Sequence, residues 1–228
     1  MSQVEPIVVT GAAGFIGHAV AERLLARGER VIGVDNFNDY YDVALKEARA
    51  ATLAGMTGFT LARLDIAEPD AFARLLGDAG ATRVVHLAAQ AGVRYDNPQA
   101  YARSNLVGHL AVLEACRARD GFRHLVYASS SSVYGERSGR RAFSEGDRLG
   151  RPTSLYAATK QADELMSEAY AHLYGLPQTG LRFFTVYGPW GRPDMAYYAF
   201  TRAILAREPI EVFGDGELTR DFTYIDDI

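Results

Sequence analysis

The sequence predicts an α/β protein built on a doubly wound parallel sheet with helices on both faces. Two observations carry that reading. Strand-like and helix-like segments alternate along the chain, and the first strand runs into a glycine-punctuated turn that opens a helix. A third, an acidic residue closing the second strand, is consistent with them.

Pro6-Ile7-Val8-Val9-Thr10 is a short β-branched run and reads as a buried strand. Gly11-Ala12-Ala13-Gly14-Phe15-Ile16-Gly17 follows, then Ala, Val and Leu at helical spacing through Ala26. The next strand is Arg30-Val31-Ile32-Gly33-Val34-Asp35. Further strands are expected at 59–65, 83–89, 124–130 and 179–187. Helical patterns occupy 42–54, 68–77, 99–119, 155–174 and 195–207. Gly135 to Pro152 is polar, contains glycine, and reads as a loop near the carboxyl edge of the sheet. No internal repeat, low-complexity stretch or linker interrupts the pattern.

Composition narrows the class. A chain of 228 residues, 48% hydrophobic and 23% charged, can bury one substantial core. A net charge of −4 with pI near 5.8 argues against a nucleic-acid surface. No apolar run is long enough to span a bilayer, and the N-terminus has no charged-then-apolar signal segment, so a soluble protein without a membrane partner is expected. Cys116 is the single cysteine and falls in a helical pattern, so a disulfide is excluded and a buried thiol expected. The five histidines are scattered without ligand spacing, so no metal site is expected.

The glycines at 11, 14 and 17 allow a tight turn, close approach of backbone to a pyrophosphate, and close helix–strand contact. Their Gly-x-x-Gly-x-x-Gly spacing differs from the Gly-x-Gly-x-x-Gly of longer-chain dehydrogenases. Asp35 follows Gly17 by eighteen residues, where a carboxylate can accept from an adenosine ribose 2′-hydroxyl. Its charge opposes a 2′-phosphate, and the neighbouring Asn36 offers no compensating cation, so NAD is expected rather than NADP. The alternative for Asp35 is a cap on the turn after its strand. Together these features make the fold Rossmann-like.

A second constellation lies downstream: the serine run 129–132, and Tyr156-Ala157-Ala158-Thr159-Lys160. Tyr156 and Lys160 are four apart in a helical stretch and project from one face. An ammonium beside a phenol favours the phenolate, and a serine hydroxyl can bond the same substrate oxygen. Taken alone, a Tyr-x-x-x-Lys is ordinary helix surface. Here the glycine turn, Asp35, Asp65, residues 87–92 and the serines all follow strands, and so converge on one sheet edge.

Several longer segments carry a resemblance. Thr10-Gly11-x-x-Gly14-x-x-Gly17, Asp65-Ile66, His86-Leu87-Ala88-Ala89, the run from Ser129 to Gly135, Tyr156-x-x-x-Lys160 and residues 220–227 resemble the extended short-chain dehydrogenase/reductase family. Within it, residues 35–42, 89–94 and 181–196 are similar to UDP-glucuronate 4-epimerases. The resemblance implies an isomerase that interconverts UDP-glucuronate and UDP-galacturonate at C4 through a 4-keto sugar. NAD is reduced and reoxidised within one turnover. It implies Ser130, Tyr156 and Lys160 as catalytic residues, with Tyr156 the base and Lys160 on the nicotinamide ribose. Cofactor contacts are implied for Gly11, Gly14, Phe15, Ile16, Gly17, Asp35, Asn36, Asp65, Ile66, Leu87, Ala88 and Ala89, besides Tyr156 and Lys160.

For the substrate, the resemblance implies Ser131 or Ser132, Thr185, Arg192 and Arg220, with Arg94 near a phosphate or the carboxylate. A 4-keto uronate is a β-keto acid and readily loses CO₂, so its carboxylate must be restrained. Arg192 has the planar fork for that and Thr185 a hydroxyl. Otherwise Arg192 caps the 188–191 turn and Arg220 is a surface arginine. Relatives that dehydrate the sugar carry Asp-Glu where this chain has Ser131-Ser132, and decarboxylating relatives carry a carboxylate there, so neither reaction is expected. An epimerase of a neutral UDP-hexose stays open, as does a non-catalytic NAD-binding module. Residues 1–178 are expected to form the NAD-binding domain. Residues 179–228 begin an interleaved nucleotide-sugar region that is continued in relatives beyond this chain's end. A cytoplasmic homodimer, paired through helices 99–119 and 155–174 as a four-helix bundle, is implied as well.

Overall fold

The structure, a computed structural model, describes residues 5–92, 97–136, 142–212, 214–217 and 219–228. The β-branched run forms β1 (Ile7–Thr10), whose four residues are all buried, as expected of a strand covered on both faces. It leads through the glycine turn into α1 (Phe15–Ala26), then β2 (Val31–Asp35), α2 (Val43–Ala54), β3 (Phe59–Arg63), α3 (Pro69–Asp78) and β4 (Arg83–His86). Next come α4 (Pro98–Tyr101), a wide turn of π-helix (Ala102–Val107), α5 (Gly108–Ala118), β5 (His124–Ser130), α6 (Leu155–Tyr174) and β6 (Gln178–Phe183). β7 (Thr185–Tyr187), α7 (Ala196–Ala206) and β8 (Phe222–Tyr224) complete the elements used below.

Six strands form one sheet in the order β3-β2-β1-β4-β5-β6, and every pair is parallel. The chain winds outward from β1 to β3 and then crosses back to β4. That reversal opens a crevice at the carboxyl ends of β1 and β4, where ligands bind in such sheets. Side chains alternate between the two faces. Val8, Val34, Val84 and Leu125 pack with Phe72, Leu76, Val112, Leu113 and Cys116 from α3 and α5. Ile7, Val9 and Val31 pack with Ala21, Leu25 and Leu53 from α1 and α2. Cys116 is wholly buried, and burial pushes its thiol up.

The structure departs from the sequence reading in four places. The strands expected at 59–65 and 83–89 end at Arg63 and His86. The chain leaves the second because Thr10 Oγ1 accepts from the backbone N–H groups of both Leu87 and Ala88, each at 3.1 Å. The strand expected at 179–187 is two strands. β6 stays in the main sheet, whereas β7 pairs in parallel with β8 in a separate two-stranded sheet. The helix expected at 99–119 is interrupted by the wide turn. There the Asn105 side chain bonds Gln90 N–H (2.8 Å), Gln90 C=O (3.1 Å) and Thr159 Oγ1 (2.9 Å). Such turns recur at functional sites. Gly108 then lets α5 approach the loop after β3, since a Cβ there would stand 2.8 Å from Ile66 Cδ1.

Candidate active site

The glycine turn is a bare-backbone cradle. Gly11 has φ 71°, and a Cβ on it would lie 2.8 Å from Ala88 N. A Cβ on Gly17 would fall 2.0 Å from Gly11 O, and one on Gly14 2.9 Å from the same oxygen. No side chain caps the start of α1 at Gly14, so the first-turn N–H groups face the crevice without a side-chain partner. Asp35, 8% exposed, fastens this loop: Oδ2 accepts from Ala13 N–H (3.0 Å) and Oδ1 from Phe37 N–H (2.8 Å). It therefore caps its own turn. Each oxygen has a second lone pair, so a ribose hydroxyl can still donate to it.

Asp35, Asn36, Asp65 and Ile66 line one end of the cleft. Asp65 Oδ1 accepts from Ala67 N–H (2.9 Å), and its Oδ2 pairs with Arg103 (3.1 Å). The structure adds a residue that the sequence reading missed. Lys46, buried on α2, lines the same end and donates to Asn38 O and Oδ1, both at 2.6 Å. Burial pulls its ammonium below the usual lysine value, and Asp35 works against that. The cation that Asn36 lacks is thus supplied from the next helix.

Phe15, Ile16, Leu87, Ala88 and Ala89 continue the wall to the middle of the cleft, where Ser130, Tyr156 and Lys160 come together. Ser154 caps α6 by accepting from Ala157 N–H (3.0 Å), which fixes where Tyr156 and Lys160 stand on the helix. Ser130 closes β5 and accepts from Ser132 N–H (3.2 Å). Lys160 Nζ is buried and donates to Ala128 O (3.0 Å) and Asp163 Oδ2 (3.0 Å). Asp163 is another residue the sequence reading missed. Burial lifts its carboxyl to about 6 even though Lys160 opposes the shift, and its Oδ1 has no partner. Behind them His86 and His109 stack at 5.3 Å. Burial holds His86 well below the usual imidazole value and brings His109 to about 3, so both are neutral.

Ser129 turns away from the cleft center to Glu164, which also takes a bidentate grip from Arg182 (2.9 Å to each oxygen). Ser131 and Ser132 enter a short 3₁₀ turn (Ser131–Tyr134) and do not line the cleft. Ser132 Oγ is buried without a partner. Thr185 sits on β7, its N–H bonded to Asp221 O (3.2 Å), outside the cleft wall. Arg220 is exposed and donates to Thr219 O (2.8 Å), so in this structure it is a surface arginine. Arg94 lies outside the described residues.

Arg192 does reach the cleft. Its Nε and Nη2 take both oxygens of Asp194 (3.0 and 2.6 Å), and Tyr40 Oη donates to Asp194 Oδ2 (3.1 Å). Burial disfavours charge on Arg192, yet Asp194 outweighs it and holds the guanidinium above its usual value. A carboxylate thus already occupies the fork that a uronate would need. Among the described residues no cluster of His, Cys, Asp and Glu could hold a metal, and no helix is long and apolar enough to cross a membrane.

A family model described as "NAD dependent epimerase/dehydratase family" matches residues 7–228. The chain belongs to that family. Among members of this epimerase/dehydratase family, it is 52% identical to UDP-glucuronate 4-epimerase 1 of Arabidopsis thaliana, over 97% of this chain and 52% of that protein. It is 51% identical to Protein CapI of Staphylococcus aureus, over 97% of this chain and 66% of the relative. The chain thus spans between about half and two thirds of the length of these curated relatives. The crystal structure of UDP-glucuronic acid 4-epimerase from Bacillus cereus, in complex with UDP-glucuronic acid and NAD, superposes with TM-score 0.90 at 41% identity. That match covers 97% of this chain and 70% of the other.

Proposed function

We propose that the chain catalyses reversible C4 epimerisation of UDP-glucuronate to UDP-galacturonate, using NAD as a resident cofactor. The observation that carries this reading is one cleft that gathers the glycine cradle, Asp35, Ser130, Tyr156, Lys160 and Arg192. The cradle fits a dinucleotide: its glycines admit no Cβ, and the start of α1 offers N–H groups to a pyrophosphate. Asp35 with Asn36 would hold the adenosine ribose, and Asp65 with Ile66 the adenine end. Bound there, NAD supplies a hydride acceptor that is regenerated within one turnover.

The protein residues then divide the work. Ser130 hydrogen-bonds the sugar 4-oxygen and orients it toward Tyr156, whose phenolic oxygen takes the 4-hydroxyl proton and later returns it. Lys160 places an ammonium beside that phenol and the nicotinamide ribose. Loss of CO₂ from a 4-keto uronate requires the breaking C–C bond to overlap the C4 carbonyl. Arg192 would hold the carboxylate out of that alignment. To do so Arg192 must share or exchange its present partner, Asp194.

Incubating the purified chain with UDP-glucuronate and separating the products tests this. UDP-galacturonate is expected, and Tyr156→Phe should lower its formation by about 10²–10⁴-fold. A UDP-pentose with CO₂, conversion of UDP-glucose alone, or NAD binding with no turnover would each overturn the reading. Residues 1–178 serve as the NAD-binding domain in this proposal, and 179–228 begin the nucleotide-sugar region. A homodimer paired through α5 and α6 is supported by apolar side chains left exposed there, among them Leu110, Leu165 and Leu173.

A further inference from the structure

Arg49, on α2, has a guanidinium that is entirely buried, and among the described residues it forms no ion pair. A buried charge without a carboxylate is costly and must be met by dipoles. Its partners come from separate parts of the site. Nη1 donates to Ala13 O in the glycine cradle (3.1 Å) and to Tyr41 Oη (2.7 Å). Nη2 donates to Trp190 O (2.5 Å) and Gly191 O (3.3 Å). One planar fork therefore ties the turn before Arg192 to the loop that would hold the pyrophosphate.

That turn needs a tie. Trp190 has φ 62°, a left-handed conformation that a bulky residue rarely adopts unless its surroundings impose it. Its carbonyl is the one gripped most closely by Arg49. On its other side the ring stands 5.8 Å from His18 of α1, whose Nε2 bonds Thr52 of α2 (2.8 Å). Gly191 next to it is closed in as well, since a Cβ there would lie 2.6 Å from Tyr197 Oη. The conformation of Trp190 and Gly191 sets the direction in which Arg192 leaves the turn.

We propose that Arg49 is a positioning residue that clamps the Trp190–Gly191 turn to the dinucleotide loop and thereby aims Arg192 at the substrate carboxylate. The proposal rests on the epimerase reading for its substrate, but its structural half does not. Lysine at position 49 keeps the charge and loses the fork, so it cannot hold both loops.

Trp190 is the only tryptophan in the chain, so its fluorescence reports on this turn directly. In Arg49→Lys, with the far-ultraviolet circular dichroism unchanged, acrylamide quenching of Trp190 should rise by about twofold as the charge-assisted grip is lost. With UDP-glucuronate, the share of turnovers ending in UDP-pentose and CO₂ should rise about tenfold, the loss expected for one charge-assisted bond. Adding Trp190→Gly to Arg49→Lys should restore the wild-type partition, because glycine adopts the left-handed turn without a clamp. Unchanged quenching in Arg49→Lys overturns the clamp. Raised quenching with an unchanged product partition, or a partition that Trp190→Gly does not restore, overturns the aiming of Arg192. If no uronate is epimerised at all, the substrate reading fails and the quenching result alone decides the clamp. Arg49→Met, which removes the charge as well, is expected to unfold or to quench still more strongly; a folded Arg49→Met with wild-type quenching overturns the proposal.

Discussion

A single carboxylate does two jobs at the end of the cleft proposed for the adenosine. Asp35 fastens the glycine cradle through Ala13 N–H and closes its own turn through Phe37 N–H, and it keeps lone pairs for a ribose. Its position was readable because strand, glycine turn and acid keep a fixed spacing. Lys46 was not readable, because residues 36–42 fold back and bring a helix side chain eleven positions away into the same cleft. Arg63, stacked 3.9 Å over Phe37, is held by Glu47 and does not line the cleft, so Lys46 is the cation at this end. The consequence is sharper than removal of one contact. Asp35→Ala should weaken NAD by about 10–100-fold, the loss of one or two charged hydrogen bonds, while NADP binding improves because Lys46 remains. Titration calorimetry with both cofactors checks this; an NAD/NADP ratio unmoved by the substitution would remove Asp35 from the ribose site.

At the scale of elements, α6 carries the proposed catalytic pair on one face and its support on the next turn. The four-residue spacing of Tyr156 and Lys160 was visible in the sequence, since helix geometry alone dictates it. That Lys160 turns to Asp163, three positions on, depends on which helix face the sheet and α5 bury, and only packing decides that. Asp163 faces Lys160 and Glu164 on its own helix, Tyr127 from β5, and His109 from α5. Its carboxyl, raised by burial from 3.8 to about 6, keeps a proton that the unfolded chain releases at lower pH. The stabilisation from that proton is full below the unfolded value and is lost as pH rises through about 6. Urea unfolding of wild type and Asp163→Asn should show the wild type losing stability relative to the variant between about pH 4 and pH 6.5, with no further relative change above. A relative stability flat across that range would show that Asp163 keeps an ordinary carboxyl. The wide turn before α5 was hidden for a related reason: the hydrophobic period continues across it, and the side-chain bonds of Asn105 to Gln90, far along the chain, impose the extra residue. Likewise Leu181 to Tyr187 is one run rich in aromatic and β-branched residues, and only its pairing partners divide it at Phe184 into β6 and β7.

Across the whole molecule, the strand order follows from alternation and handedness, which is why the sheet was readable before any side chain was placed. Contacts made by the chain after β6 were not readable, because β7, α7 and β8 lie outside the alternating core: β7 pairs with β8, and Val186 and Ile225 pack on Phe15 of α1. Ile204, Leu205 and Val212 there remain exposed. A cofactor that joins the halves of the crevice should therefore stabilise the fold as a unit. NAD would touch the loops after β1, β2, β4 and β5 at once, so binding to the native state alone couples these loops to global stability. At about 100 times its dissociation constant, a ligand that binds only the native state adds about 2.7 kcal/mol, which for a chain of this size raises the thermal midpoint by about 5–10 °C. NADP at the same concentration should raise it less, since Asp35 faces the added phosphate. Scanning calorimetry with each cofactor is the measurement. A midpoint that NAD leaves unmoved would mean that the cradle, Asp35 and Lys160 do not act as one site, and the epimerase reading would fall with it.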